Sequence, residues 1–214
     1  MTMSSFRVAP RRGHLDRLKR ICGYLLKMQN FGIRFRTHEP DLSDLKTIEQ
    51  DWFSVYGDVI EALPIDAPQP LGRPVQLVHY VDANLMHDTL TGRSVTACLH
   101  FVNASPIDWY SKKQSTVETA TYSSEFVAAR TCVEQIIDLR TTLRYLGVKV
   151  NDKSYMFGDN KSVVNSASLV HAKLHKRHNA LSFHRVREAI ASRYIYFNFL
   201  PGPQNPADIL SNLW

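Results

Sequence analysis

The sequence predicts an α/β fold: a five-stranded mixed sheet flanked by helices, preceded by a helical and connector segment. Three observations predict it. Apolar runs of strand length recur at residues 75–82, 94–102, 107–111, 154–159 and 194–200, bounded by Gly, Pro, Asn and Asp. The first three follow one another with only turns between them, so they pair as an antiparallel meander. The last two alternate with helical patterns of period 3.6, which requires parallel pairing through right-handed crossovers.

In chain order, residues 10–28 come first. They place Leu15, Leu18, Ile21, Cys22, Leu25 and Met28 at helical spacing, with Arg11, Arg12, Arg17, Lys19, Arg20 and Lys27 on the other sides. This is an amphipathic basic helix, whose charged face is open to two readings, a solvated surface or a phosphate-binding one. Residues 32–36 alternate apolar and basic side chains as a short strand would. Residues 37–70, punctuated by Pro40, Pro64, Pro68 and Pro70, read as a connector with at most one short helix, over 44–52. Such a stretch is expected to keep the helix before it mobile. The chain therefore divides into 1–36, a connector 37–73 and a main domain 74–214.

Within the main domain, Thr91 and Gly92 supply the turn between the first two strands. A long helix over 123–146 buries Phe126, Ala129, Val133, Ile136, Ile137, Leu143 and Leu146, and Gly147 closes it. The strand at 154–159 runs into a helix at 161–169. A basic loop with His171, Lys173, His175, Lys176, Arg177 and His178 leads to a helix carrying Phe183, Val186 and Ile190. After the last strand, Pro206 is placed at the first position of a short terminal helix.

Composition narrows the functional classes. A chain of 214 residues, 44% of them apolar, can bury a real core. No apolar run approaches the ~18 residues of a membrane span, and a patterned helix follows the Arg-rich start directly, which argues against a targeting signal. Cys22, Cys98 and Cys132 are odd in number and lack ligand spacing, so they read as reduced thiols of an intracellular protein rather than a disulfide framework or a zinc site. The formal charge of +6 hides a net +8 over residues 1–36 and a net −7 over 37–70. Block asymmetry of this kind suggests an anionic partner at one end, nucleic acid first.

The chemistry centres on residues 155–160, YMFGDN. Tyr155, Met156 and Phe157 make a buried strand, Gly158 is expected to let the backbone turn, and Asp159 lands at the strand's carboxyl end, where open α/β sheets put their chemistry. Asn160 follows as an N-cap. Asp82 ends the first strand, which the crossover brings beside the 154–159 strand. Glu125 lies in the first turn of the long helix, and Asp208 on the terminal helix. Taken singly, each is an ordinary turn or first-turn acid. Together they are four carboxylates from four elements, and buried like charges cluster only around cations. Hard oxygen donors without Cys or paired His suit Mg²⁺, with Mn²⁺ able to substitute, rather than zinc. Two such ions about 4 Å apart would activate water and stabilise the leaving oxygen in phosphodiester cleavage. Tyr80-Val81-Asp82-Ala83 approaches a polymerase Tyr-X-Asp-Asp signature, but Ala83 supplies no second carboxylate.

Six blocks then carry a resemblance: YVDAN (80–84), IDWYSKKQSTVE (107–118), SSEFVAAR (123–130), GDNKSVV (158–164), KRHNALSFHRVRE (176–188) and PADIL (206–210). They resemble, in order, the ribonuclease H domain of copia-type long-terminal-repeat retrotransposon polyproteins. Residues 3–36 resemble the thumb end of the reverse transcriptase of such a polyprotein. The resemblance implies a ribonuclease H fold, cleavage of RNA in RNA:DNA hybrids, and Asp82, Glu125, Asp159 and Asp208 as the catalytic residues that bind two Mg²⁺ ions. It also implies the hybrid and the rest of the retrotransposon polymerase as partners, no membrane, and an intracellular setting in cytoplasm, virus-like particle or nucleus. Ser123-Ser124 departs from the family's commoner Thr-Glu-Ala-Glu, leaving Glu125 in place. His178 matches a family His, for which product release, proton transfer, phosphate binding and helix capping all stay open.

Lys112, Lys113 and Gln114 leave the third strand near the long helix, where they would follow a phosphate backbone, with Ser124, Asn160, Arg177 and Arg185 as companions. Small polar groups near the site would read the 2′-hydroxyls of a hybrid. A solvated strand end is the alternative for the lysines. Two competing functions remain at this point: a DNA-acting nuclease of the same two-metal superfamily, and a non-catalytic remnant that only binds nucleic acid. The lack of a His and Cys zinc domain disfavours an integrase, and the four acids disfavour decay.

Overall fold

Strand propensity and the placement of Gly and Pro account for most of the element boundaries. The structure is a computed structural model that describes residues 7–45, 49–88, 90–174 and 177–212. Before the main sheet come α1 (Arg12–Lys27), α2 (Phe53–Tyr56) and β1 (Leu71–Val75). The meander follows as β2 (Leu77–Asp88), β3 (Arg93–Val102) and β4 (Ser105–Lys113). Then come α3 (Thr121–Tyr145), β5 (Val148–Val150), β6 (Ser154–Gly158), α4 (Lys161–Ser168), α5 (Ala180–Ala191), β7 (Ile195–Phe199) and α6 (Asp208–Ser211). Five strands pair in the order β4-β3-β2-β6-β7. The β2–β3 and β3–β4 pairs are antiparallel, and the β2–β6 and β6–β7 pairs are parallel. This is the mixed sheet that the sequence predicts.

The core lies between this sheet and a helical layer. Val81, Ala83 and Cys98 from the sheet meet Phe126, Ala129, Cys132, Val133 and Ile136 of α3, with Val186 of α5 closing over them. Ala128, Ala129 and Cys132 are small and completely buried, which lets α3 lie close on the strands. Strand alternation gives the opposite face to Asp82, which lies between inward-facing Val81 and Ala83. There α6 packs against β2 and β3.

Several expectations need correction. The sequence ends the first strand at Asp82, yet β2 continues to Asp88 because its pairing with β3 persists to Arg93. What ends at the acid is the parallel partner: Val81 pairs with Gly158, the last residue of β6. Residues 32–36 form no strand, since their only described tie to the sheet is a pair of bonds between the Arg36 backbone and the Ser105 hydroxyl. Of the short helix expected over 44–52, residues 46–48 lie outside the described residues and the others are not helical; a helix is found at Phe53–Tyr56, where the Asp51 carboxylate accepts from the Phe53 N–H at 3.0 Å. Pro206 precedes α6 by two residues instead of opening it, and the Asn205 side chain makes the turn by accepting from the Ala207 N–H at 3.1 Å. A second, two-stranded parallel sheet of β1 and β5 has no counterpart in the sequence reading, because Gly72 and Pro74 mask its strand pattern. Residues 1–6 of the thumb-like stretch, and His175 and Lys176 of the basic loop, lie outside the described residues.

The acidic segment is also more than a loose connector. Arg140 of α3 is completely buried, and the Glu61 carboxylate takes its Nε at 2.8 Å and a terminal nitrogen at 2.7 Å. Arg144, one turn on, binds the same carboxylate. The guanidinium of Arg187, 2% exposed, donates to the carbonyls of Ser166, Leu169 and Val170 and packs 4.8 Å from the ring of Trp52. A buried cation needs a partner, and residues 52–61 supply one. They hold the segment against the amino ends of β6 and β7, at the far end of the sheet from Asp159. No helix among the described residues is long and apolar enough to cross a membrane.

Candidate metal centre

Asp82, Glu125 and Asp159 converge, each offering a carboxylate oxygen within 4.8 Å of the others. Their elements explain the meeting. Parallel pairing of β2 with β6 sets Asp82 beside the strand end that carries Asp159, and α3 crosses the sheet with Glu125 one turn from its start. Gly158 serves a purpose other than the expected turn. Its φ is not among the positive ones, whereas a Cβ there would lie 3.0 Å from the Phe197 ring and 3.5 Å from Val81. Glycine is needed for room, so that β6 seats Asp159 tightly between its neighbours. A Cβ on Gly202 would similarly meet an Asp159 carboxylate oxygen at 3.2 Å. Asn160 caps α4 as expected, its side-chain oxygen accepting from the Ser162 and Val163 N–H groups at 3.1 and 3.2 Å.

The electrostatics are those of crowded acids. Burial pushes Asp82 up to about 6, with Asp159 and Asp208 adding repulsion against a lowering bond from Ser211. Burial raises Glu125 well above its ordinary value, and Asp82 and Asp159 add to the rise. Asp159 is raised by burial and by Asp208. Uncompensated, these carboxyls bind protons more readily than ordinary acids do; a cation among them would favour their ionised forms.

Asp208 stands next to this trio but outside it: it is near enough to repel Asp82 and Asp159, while one of its oxygens is engaged by the Asn212 amide. Its helix α6 is fastened by Asn205 to the Val81 carbonyl at 2.9 Å, by Ser111 to the Leu210 carbonyl at 2.6 Å, and by Asn84 to Asn212 at 2.7 Å. Ser211, which sequence reasoning missed, donates to the Asp82 carboxylate. The available signal was its position three residues after Asp208, on the same helical face.

The expected substrate contacts divide. Lys112 is exposed on β4, and Arg177 and His178 are exposed before α5. Lys113 is engaged by Asp88 at 2.7 Å. Gln114 is buried and braces the site instead, donating to Thr96 at 3.0 Å and to the Ser124 carbonyl at 2.8 Å. Ser124 is fully buried, with its hydroxyl on the Thr121 carbonyl at 2.9 Å. A buried residue with every donor turned inward cannot reach a duplex, so Gln114 and Ser124 are supports. Arg185 is half-buried and faces Glu188 at 3.2 Å.

The sheet order and helix layer match solved structures. The N-terminal RNase H domain of a Mycobacterium tuberculosis protein superposes with a TM-score of 0.51 at 15% identity, covering 64% of this chain and 91% of that one. RNase H1 from Halobacterium salinarum gives 0.50 at 13% identity, covering 64% and 95%. The fold is that of ribonuclease H. A third such ribonuclease H, LC11-RNase H1, was solved in complex with an RNA/DNA hybrid and gives 0.50 at 15% identity, covering 63% and 93%. In sequence, 137 residues are 28% identical to the Pol polyprotein of a retrotransposon, transposon Tnt 1-94 of Nicotiana tabacum. This match takes in 63% of the chain but only about a tenth of the relative's length. No family model matches. The resemblance to retrotransposon ribonuclease H is thus borne out at the level of fold and sequence kinship.

Proposed function

We propose that this ribonuclease H-like chain hydrolyses the RNA strand of RNA:DNA hybrids with two magnesium ions, as part of a copia-type retrotransposon polyprotein. The observation that carries the reading is the convergence of three carboxylates at the end of the parallel strand pair of a ribonuclease H fold. The donor set fits the ions: every candidate ligand atom is a hard oxygen, and the buried like charges need a cation. When bound, the ions supply an activated water and a sink for charge on the leaving oxygen. Asp82, Glu125 and Asp159 hold them, and Asp208 adds a further oxygen at the rim. Ser211 and Asn205 fix the orientation of Asp82 and its strand. Lys112 and Arg177, both exposed, and Asn160, next to Asp159, would meet the phosphates of a duplex. Cleavage of a labelled hybrid that a chelator stops and Mg²⁺ restores tests the reading; cleavage indifferent to chelator would refute it.

Two further outcomes follow from the electrostatics. Asp82, whose carboxyl is raised to about 6, binds more protons folded than unfolded. In metal-free protein, stability present below the ordinary carboxyl value of about 4 is lost as pH rises through about 6. Mg²⁺ should offset that loss at pH 7.5, where a hundredfold excess over Kd contributes about 2.7 kcal/mol and raises Tm by roughly 5–10 °C. At pH 4.5 the ions should do little, since protons compete for the same oxygens. Equal shifts at both pH values in a thermal melt would exclude binding at these acids.

Asp208→Asn should leave the trio intact while removing charge beside it. The Mg²⁺ concentration for half-maximal cleavage should rise about tenfold, and Mn²⁺ should recover part of the activity. An unchanged metal titration would remove Asp208 from the site.

A further inference from the structure

On the loop from β4 to α3, Glu118 is an acid that the metal site does not use. It is 6% exposed, although glutamates are rarely buried without a partner. One of its oxygens accepts from the Thr116 hydroxyl at 2.9 Å, and the other faces Nε2 of His178 at 3.5 Å. His178 is 55% exposed, and this ion-pair contact is the one tie of its ring seen among the described residues. The residue after it, Asn179, is buried and donates to the Ser123 hydroxyl at 2.9 Å, two positions before Glu125. Gln114 ties the same helix start to β4 through the Ser124 carbonyl at 2.8 Å. The imidazole is therefore held beside the start of α3, the helix that carries Glu125, by a frame that includes that helix's first turn.

We propose that Glu118 is the positioning residue for His178, fixing Nε2–H on its carboxylate so that Nδ1 is presented to the nucleic-acid strand crossing the site. This rests on the nuclease reading above. A buried carboxylate that orients one ring nitrogen sets both the tautomer and the direction of the other. The pair acts on the substrate and not on the ions, because neither residue belongs to the carboxylate group.

A double-mutant cycle tests the pair, using wild type, Glu118→Gln, Glu118→Asp, His178→Ala and the Glu118→Gln/His178→Ala double variant on a labelled hybrid. The expected result is a kcat about tenfold lower for Glu118→Gln, part of it recovered in Glu118→Asp, with KM and the Mg²⁺ midpoint unchanged. In the His178→Ala background Glu118→Gln should cost nothing more. A loss of equal size in both backgrounds would overturn the proposal, because Glu118 would then act through the fold. The imidazole ¹⁵N shifts of His178 give a readout independent of activity. A tautomer ratio that changes in Glu118→Gln upholds the positioning role, and unchanged shifts refute it. A wild-type protein that cleaves no hybrid would sink the nuclease reading alone, and the nitrogen shifts would still decide the role of Glu118.

Discussion

Asp159→Asn is expected to lower hybrid cleavage by about a thousandfold or more while the protein stays folded. Asn keeps the volume and one oxygen, so β6, packed around Gly158 and Phe197, has no reason to move. What is lost is a charged donor at the meeting point of the trio, and about 4 kcal/mol of transition-state stabilisation corresponds to a thousandfold in rate. The metal-free variant should melt at or above the wild-type temperature near pH 7.5, since one of the mutually repelling carboxylates is gone. Retention of more than a tenth of the wild-type rate would show that the centre lies elsewhere.

The second large effect concerns stability. Glu61→Gln leaves the guanidinium of Arg140, fully buried, without its countercharge. Breaking a buried pair from one side costs about 3 kcal/mol or more, which in a chain of this size lowers Tm by roughly 10 °C. Burial alone would push the Glu61 carboxyl up, yet bonds from Arg140 and Arg144 outweigh it and hold it below its ordinary value. That contribution is therefore present at neutral pH and is lost as pH falls through the lowered value. Turnover per folded molecule should not change, because Glu61 sits at the opposite end of β6 from Asp159. A thermal melt like that of wild type would mean that the acidic segment is dispensable to the fold.

The contrast between these two acids shows what the sequence makes legible. Asp159 is visible because its context is local: an apolar strand, a glycine and an N-cap occupy six consecutive positions, and strand order then delivers Asp82 to it. Glu125 is visible through the period of α3, whose buried stripe gives its flank. Glu61 is invisible because its meaning depends on Arg140, 79 positions away, and Arg140 itself looks like the polar face of a helix. The same holds for His79 and His100, which meet at 2.8 Å in the interior although each sits in an ordinary strand pattern. Lys113 and Gln114 show the opposite case. Their run with Lys112 reads as a phosphate track, yet one is taken by Asp88 and the other is buried as a brace. Long-range polar pairing leaves no periodic trace, so a reading built on periodicity takes such residues for surface.

Gly158 marks a subtler limit. A glycine between strand and helix suggests a turn, and only the 3.0 Å that would separate an added Cβ from the Phe197 ring shows that the requirement is for space. Gly158→Ala therefore probes packing at the metal centre rather than backbone freedom.

Selectivity among duplexes separates a hybrid-specific nuclease from a DNA-acting one and from a protein that only binds. The wild-type protein, with Mg²⁺ at neutral pH, is incubated in parallel with end-labelled RNA:DNA hybrid, duplex RNA and duplex DNA of one sequence. Cleavage of the RNA strand in the hybrid alone is expected, abolished by chelator and by Asp159→Asn. Cleavage of duplex DNA, or binding of all three duplexes without cleavage of any, would contradict the proposed function.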